Sequence, residues 1–521
     1  MRRRTFLGTV LAAGLGGCTA PASDETPGVT TTVAGPTVAT PPEPDPERDP
    51  LQSDGSRIVM SSATDRVYAL GGGGGGGGDE DWLWDSFQFV SEPDADGPAI
   101  VEGTLTNEGD FERVIAFEEL SLFDGTGWFR PDDYLDVSIP GRERDFVHLL
   151  EPTAAHDFAD RESSFARDGE GVWRVRERTD RDTPDYLRLA PGQTIYGQWA
   201  LVADTVEFDG RVPVLGRYST ADTSEVHLSI GIWDRTAPGP SEESIHAGRD
   251  VPPPPSTRED VTKTVWYHET GPETPVFLRP GTESGTLPLR VDFTLVNHTV
   301  EQAFGLNPYN WGLYKLHDDT WYHIAPQNIP LPGGSLQPGS IARKTHTLFN
   351  GRRLGGPPGF DDTDDSYRRT VPYLGPGLYA YARDLMFEDT YRCYAALLEL
   401  DGDPVAVTPA TDLSIERGGD TIEAVHPEVD TSRRNHRLTV ERAPEAETDE
   451  RVLPEQIMTV DYATGLRNAI GLLEPGVGTV RLETPTYEVS IAGDIADRSP
   501  VILESPDGPV TIRVGIEDLW E

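Results

Sequence analysis

Short runs in which apolar and polar residues alternate recur along most of the chain, separated by turn-forming residues. A period of two is typical of strands that bury one face. Asn107-Glu108-Gly109 and Asp124-Gly125-Thr126-Gly127 fit the turns between them. Residues 81–235 therefore predict a β-sandwich, enlarged by an insertion at about 132–186. Its predicted strands are 87–90, 99–106, 113–123, 194–202 and 226–233.

The next stretch, residues 261–412, repeats the same pattern. Thr104-Leu105-Thr106-Asn107 has a counterpart in Thr294-Leu295-Val296-Asn297. Leu189-Ala190-Pro191-Gly192 is matched by Leu336-Gln337-Pro338-Gly339. Matching fragments in the same order indicate two diverged copies of one module.

Further fragments of the second copy follow one order: the strand at 291–297, Trp311 to Leu316, the turn Asp318-Asp319, Trp321-Tyr322, the 336–339 turn and the strand at 374–381. This order resembles bacterial immunoglobulin-like domains, in which a hairpin ends in tryptophan and a Leu-x-Pro-Gly turn precedes a Gly-x-Tyr strand. The resemblance implies a β-sandwich over about 120 residues and implies no activity.

The last segment, residues 413–521, has a different pattern. Ile457, Val460, Leu466, Ile470 and Leu473 have near-helical spacing within 453–474, and Pro475-Gly476 would end that helix. Strands are predicted at 437–442, 479–482, 487–492, 501–503 and 510–515. The predicted fold class is therefore mainly β, with tandem immunoglobulin-like β-sandwiches and a small C-terminal α+β unit.

Two segments lack the composition of a folded core. Residues 19–80 are rich in Pro, Thr and acidic residues and include the glycines of 71–78, which predicts a disordered tether. Residues 236–260 contain Val251 and the prolines Pro252 to Pro255, which predict a stiff linker. The glycine run is not a phosphate loop, because the acidic residues of 79–81 would repel an anion.

The first 18 residues carry two export motifs. Arg3-Arg4-Thr5-Phe6-Leu7 resembles a twin-arginine signal, although Arg2 stands where that family usually has Ser or Thr. Leu15-Gly16-Gly17-Cys18 resembles a lipobox. The apolar stretch between them is too short to span a bilayer, which needs about 20 apolar residues. The resemblance implies a lipid on Cys18 and a position on the extracellular face of the cell membrane.

The charge of the chain indicates the kind of organism it comes from and excludes one class of partner. The chain has 88 acidic and 44 basic residues, a net charge of −44, and only Lys263, Lys315 and Lys344 as lysines. A strongly negative surface repels nucleic acid, so no nucleic-acid partner is expected. Dense carboxylates with few lysines resemble proteins of halophilic archaea. We therefore expect a halophilic origin, with an acidic protein of a mesophile as the alternative.

Candidate chemical sites are sparse. Cys18 and Cys393 are the two cysteines, and Cys393 lies in an apolar run that predicts an inert buried thiol. If Asp318-Asp319 forms a two-residue turn, Tyr314 pairs with His323 and Thr320 with His317. The two histidines then lie on opposite faces, which disfavours a shared zinc ion.

Other candidates each have an ordinary structural explanation beside the functional one. The acidic clusters at 94–97 and 361–365 offer calcium ligands or solvated loops. Asn297-His298-Thr299 is a glycosylation sequon or a strand end. Tryptophans that could stack on sugars or fill cores are Trp82, Trp84, Trp128 and Trp321.

No nucleophile motif stands out, and no metal or other cofactor is expected. The favoured interpretation is a non-catalytic lipoprotein, not an enzyme, that binds an unidentified protein or envelope partner or acts as an envelope spacer. Two alternatives stay open: a secreted hydrolase with an unrecognised active site, and a solute-binding lipoprotein. The second is disfavoured because the pattern lacks two α/β lobes.

Overall fold

A computed structural model of the chain describes most of residues 36–519. The described residues are 36–43, 58–61, 66–71, 83–117, 123, 127–131, 148–169, 173–203, 215–220, 229–256, 258, 260–306, 310–326, 334–351, 368–430, 434–459 and 464–519. The fold is mainly β, as the alternating pattern predicts. Within these ranges no helix has the length and apolar character needed to cross a membrane.

The first module contains two sheets. A three-stranded sheet has the order β1-β11-β6, and a larger sheet has the path β2-β3-β14-β13-β7-β8-β12-β10-β9, with β5 joining β4 to β12. Phe87, Phe89, Leu150 and Trp199 fill its core. Its strands are β1 (Val38–Ala39), β2 (Ile58–Ser61), β3 (Arg66–Gly71), β4 (Leu83–Ser91), β5 (Ala99–Asn107), β6 (Arg113–Ala116), β7 (Gly127–Pro131), β8 (His148–Pro152), β9 (Arg161–Arg167), β10 (Trp173–Asp180), β11 (Tyr186–Leu189), β12 (Thr194–Ala203), β13 (Leu215–Thr220) and β14 (Ser229–Asp234).

The prediction of a disordered tether over 19–80 is wrong for the segments that form β1, β2 and β3. Strand β3 pairs antiparallel with β14, and β1 pairs parallel with β11. Val67 and Ala69 are buried against Trp233. These apolar residues gain enough burial, by pairing with distant strands, to offset their ordering entropy. The predicted insertion likewise supplies β8 to β11, while residues 132–147 lie outside the described residues.

The second module is a sandwich of two sheets. The first follows β15-β26-β25-β19-β22, with β17 on β26 and the β20–β21 hairpin on β25. The second has the order β16-β18-β23-β24. Phe277, Phe293, Leu295, Tyr379 and Tyr381 are central to the core between them. The strands are β15 (Val261–Trp266), β16 (Val276–Pro280), β17 (Ser284–Thr286), β18 (Leu289–Asn297), β19 (Ala303–Phe304), β20 (Gly312–His317), β21 (Thr320–Ala325), β22 (Ser335–Leu336), β23 (Ile341–Leu348), β24 (Arg368–Val371), β25 (Gly377–Phe387) and β26 (Thr390–Asp401).

The predicted repeat is visible in matching hydrogen bonds. Asn107 Nδ2 donates to the carbonyls of Phe111 and Leu189. Asn297 Nδ2 donates to the equivalent carbonyls of Glu301 and Leu336. The Leu-x-Pro-Gly turn also matches, since Gly192 and Gly339 have φ values of 73° and 64°. Glycine suits this left-handed region, which strains other residues. Equivalent fragments therefore make equivalent structures.

The proline-rich segment is not a free linker. The backbone N–H of Gly239 donates to Pro272 O at 2.7 Å, and Trp321 Nε1 donates to Pro252 O at 2.5 Å. Ser244 and His246 are buried. The prediction of a stiff spacer at 236–260 is wrong because proline carbonyls remain acceptors, which lets the segment dock on the second module.

Among its described residues, the C-terminal unit packs three α-helices on a seven-stranded sheet of order β27-β28-β31-β29-β33-β32-β30. The predicted helix at 453–474 is two helices, with 460–463 outside the described residues. The predicted strand at 487–492 is wrong, because a helix begins at Ser490 and buries Ala492 and Ile495. The elements are β27 (Ser414–Gly418), β28 (Thr421–Val425), β29 (Asn435–Arg442), β30 (Arg451–Val452), α1 (Pro454–Met458), α2 (Thr464–Gly471), β31 (Thr479–Pro485), α3 (Ser490–Arg498), β32 (Val501–Leu503) and β33 (Val510–Asp518).

Candidate functional site

The export and lipidation residues lie outside the described residues. These are Arg3, Arg4 and Cys18. The same holds for Trp82, the glycines of 72–78 and the acidic cluster 361–365. The predictions made for them therefore stay predictions.

Of the two interpretations of Asn297-His298-Thr299, the geometry supports the strand-end asparagine, and glycosylation stays a prediction. Asn297 is 0% exposed. Its Nδ2 donates to the carbonyls of Glu301, Leu336 and Gln337, and its Oδ1 accepts from the backbone N–H of Thr299 at 3.1 Å. The amide ties the strand end to the neighbouring turn and is enclosed by the chain.

The hairpin around Asp318-Asp319 has the predicted register. Tyr314 pairs with His323 and His317 with Thr320, so the two histidines point to opposite faces. Burial lowers the pKa of His323, which keeps this imidazole neutral near pH 7. Among the described residues, no group of three or more His, Cys, Asp or Glu side chains is placed to hold a metal ion.

The Asp94 carboxylate binds backbone N–H groups of its own turn. Asp94 Oδ1 accepts the backbone N–H groups of Asp96 and Gly97 at 2.7 and 2.9 Å. These two bonds lower the pKa of the exposed Asp94 carboxyl. The carboxylate therefore stabilises the turn, and the calcium alternative gains no support from this geometry.

The surroundings of Cys393 keep its thiol unreactive. Cys393 is buried on β26, and desolvation together with nearby Asp384 raises the pKa of its thiol well above the ordinary value. A thiol that stays protonated is a poor nucleophile.

Trp321 is buried beside Trp266, at 6.0 Å between ring centroids, so it belongs to a packed cluster and not to a sugar platform.

Several serine hydroxyls donate to carboxylates. Ser163 Oγ donates to Glu151 at 2.8 Å, and Ser256 Oγ donates to Asp384 at 2.6 Å. Glu151 is fully buried and is also held by Arg178 through Nε at 3.1 Å. A nucleophilic serine needs a base aimed at its oxygen, whereas these carboxylates are already bound to cations or buried polar groups. These hydrogen bonds therefore compensate the carboxylates within the fold.

The joint between the second module and the C-terminal unit holds a buried ion pair. Lys315 Nζ from β20 donates to Glu455 Oε1 from α1. The same oxygen accepts the backbone N–H of Gly375 at 3.2 Å, and Tyr379 OH donates to Gly375 O at 2.8 Å. Burial and the Glu455 charge raise the pKa of Tyr379, so the phenol stays protonated. The pair links the two units through a largely buried contact.

A second set of contacts surrounds that ion pair. Arg451 binds Glu504 and lies 3.4 Å from Asp318 Oδ2 across the joint. Thr459 Oγ1 donates to Ile324 O at 3.2 Å. Leu453 is buried within the hydrophobic core of the second module. Two units that share core residues and charged contacts are expected to move as one body.

Sequence reasoning did not single out Lys315 and Glu455. One available signal was that Lys315, one of three lysines, lies within an otherwise largely apolar strand. No pattern along the chain could pair it with Glu455, which is 140 positions away.

The joint between the first and second modules is also packed. The rings of Trp233, at the end of β14, and His298 stack at 5.4 Å with 10° between their planes. His298 Nδ1 donates to Pro238 O at 2.5 Å. Burial lowers the pKa of His298 to about 4, so the imidazole is neutral at pH 7. Adjacent modules are thus joined through aromatic and polar contacts.

Comparisons with known proteins add little to this geometry. No family model matches the chain, and no curated protein matches it. A polysaccharide lyase aligns with 68% of this chain and 36% of its own, at 9% identity and a TM-score of 0.13. The native conformation of E. coli alpha-2-macroglobulin aligns with 89% of this chain and 31% of its own, at 8% identity and the same TM-score. The chain thus spans about a third of each structure's length, and neither similarity carries an argument.

Proposed function

We propose that this chain is a lipid-anchored lipoprotein on the extracellular face of a haloarchaeal cell membrane, where it is a non-catalytic binding platform or envelope spacer. The observation that carries the proposal is the packing of both joints. A spacer must hold its distal unit at a fixed distance and orientation, which free linkers do not do. Trp233 on His298 and Lys315 on Glu455 supply that stiffness.

Anchoring rests on the motif that ends at Cys18. Each buried methylene of a lipid contributes about 0.8 kcal/mol, so two long acyl or alkyl chains on the cysteine give stable attachment. With 88 acidic against 44 basic residues, the protein would gain no electrostatic attraction to anionic lipid.

The anchor is tested by Cys18→Ser in the full-length protein expressed in its native host. The expected result is release of the protein into the medium, detected by immunoblotting of membrane and supernatant fractions. Arg3→Lys with Arg4→Lys should instead leave unprocessed precursor inside the cell. Retention of the serine variant at the membrane would refute the lipid anchor.

The binding role is tested by affinity purification from native membranes at high salt. Glu455→Gln, which breaks the joint, is the matched variant, and Arg417→Met, in an exposed pair with Glu474, is the control. A partner or envelope component retained by the wild type and the control, and reduced with Glu455→Gln, supports a platform of fixed geometry. Hydrolysis of envelope polymers by the purified chain would instead favour the hydrolase alternative.

A further inference from the structure

The first and last strands of the second module lie side by side and run in the same direction. Strand β15 pairs parallel with β26, with Val261 opposite Tyr391 and Trp266 opposite Ala395. Strand β26 then continues to Asp401. At about 3.3 Å per residue, the distance along β26 from Tyr391 to Asp401 is roughly 33 Å. The chain therefore enters and leaves this pair of strands at opposite ends.

The direction in which two paired strands run decides how they respond to tension. When the entering end of β15 and the leaving end of β26 are pulled apart, the two strands slide along each other. All the hydrogen bonds between them are then stretched at the same time, so they must break together. When neighbouring ends of two strands are pulled apart, the bonds break one after another. Sliding therefore has the higher barrier, and forced unfolding follows the rate over that barrier.

Strand β26 is held along both of its edges. On one edge β25 pairs with it antiparallel over residues 390–400. On the other edge β17 pairs parallel with residues 399–401, beyond the part that β15 covers. Trp266 of β15 and Cys393 of β26 belong to one buried apolar cluster. Tension on β26 is therefore opposed by neighbouring strands on both sides and by packed side chains.

The first module has the opposite arrangement. Its last strand, β14, pairs antiparallel with β3, so that Asp234 lies opposite Arg66. The chain thus enters β3 and leaves β14 at neighbouring ends of the pair. Pulling these ends apart opens the pair from Arg66 towards Gly71, one hydrogen bond after another. The two modules therefore differ in how they resist tension along the chain, although they share one sequence pattern.

We propose that the second module is the part of this chain that resists mechanical tension. Force applied between residues 260 and 403 is opposed by the sliding of β15 against β26, and the first module unfolds at a lower force. Such tension arises when the N-terminus is held at the membrane and a partner holds the C-terminal unit, so its occurrence in the cell rests on the proposed function. The resistance itself follows from the strand directions and does not depend on the anchor.

Single-molecule force spectroscopy on the full-length chain tests the proposal. Cys18→Ser is present in every variant, so that no lipid is attached. One variant carries its attachment points at Asp260→Cys and Asp403→Cys, which are both exposed, and is pulled along the proposed direction. The matched variant combines Asp260→Cys with Thr390→Cys, at the start of β26, so that the same bonds open in sequence. The native Cys393 is buried and does not take an attachment.

The variant attached at 260 and 403 should unfold at a force about twofold or more above that of the variant attached at 260 and 390, at one pulling speed. Thermal unfolding has no direction, so equal midpoints show that both variants are folded. If Thr390→Cys lowers the midpoint, Asp389→Cys replaces it at the same end of β26. Equal unfolding forces in two folded variants would overturn the proposal and would leave the lipid anchor untouched.

Pulling the Cys18→Ser chain from its two termini then orders the modules. At about 3.5 Å per residue, unfolding of residues 66–234 releases roughly 60 nm of chain and unfolding of residues 261–401 roughly 50 nm. The longer release is expected at the lower force. The reverse order would contradict the contrast between the two modules.

Discussion

At the scale of single residues, burial keeps the imidazoles of His298 and His156 neutral near pH 7. Desolvation lowers the pKa of His298 to about 4 and that of His156 to about 3, from an ordinary value of 6.5. His156 packs edge-on against Trp199, with 4.8 Å between ring centroids. Each histidine charges more readily in the unfolded chain than in the folded one.

The first prediction concerns acid stability. A group whose folded pKa is depressed below its unfolded value destabilises the fold as pH falls, beginning at the unfolded pKa near 6.5. For His298 the loss is complete near pH 4 and amounts to about 3 kcal/mol. Denaturant unfolding at pH 7.5 and 4.5 should show His298→Phe gaining by about 2 to 3 kcal/mol relative to wild type at the lower pH. An unchanged difference between the two pH values would contradict this account.

The second prediction concerns the matched asparagines. Asn297→Ala and Asn107→Ala should each cost about 1 to 3 kcal/mol in the free energy of unfolding, because each leaves buried carbonyls without a donor. Chemical denaturation measures both losses. Intact mass of native protein should show no sugar on Asn297, and a glycopeptide containing it would refute the structural role.

At the scale of elements, turns fix the register of the strands. Asp318 and Asp319 have φ values of 45° and 58°, the left-handed conformation that a two-residue hairpin turn needs. Asp318 also faces His317 and Arg451, whereas Asp319 makes no ion pair within the described part of the chain. The two positions therefore differ in what a substitution would remove.

The third prediction follows from that difference. Asp319→Gly should raise the free energy of unfolding by about 0.5 to 1 kcal/mol, because glycine adopts positive φ without strain. Asp319→Val should lower it by a similar or larger amount. Thermal unfolding of the two variants decides the matter, and equal midpoints would show that the turn is not strained.

At the scale of the whole molecule, the joints decide whether the units unfold together. Glu455 is buried and the Lys315 side chain is only 14% exposed, so removing one partner leaves an uncompensated charge largely away from water. The exposed pair of Arg417 and Glu474 lies on the surface of the C-terminal unit and is screened by solvent.

The fourth prediction compares those two pairs. Lys315→Met should destabilise the protein by about 3 to 5 kcal/mol and split one unfolding transition of the second module and the C-terminal unit into two. Arg417→Met should change neither by a measurable amount. Calorimetry and hydrogen exchange provide the readout, and a single unchanged transition in Lys315→Met would remove the rigid-joint argument.

The sequence by itself determined the local structure. Alternating residues predicted the strands at 99–106 and 194–202, and the paired aspartates predicted the hairpin register at Tyr314 and His323, because strand periodicity and turn conformation are properties of neighbouring residues. Tertiary structure decided what joins distant segments. Strand β3 joins the first module by pairing with β14 and by burying Leu70 in its core. Lys315 pairs with Glu455, and Asn297 is enclosed where the 336–339 turn packs on it. Burial is a property of the folded neighbourhood, which no local pattern encodes.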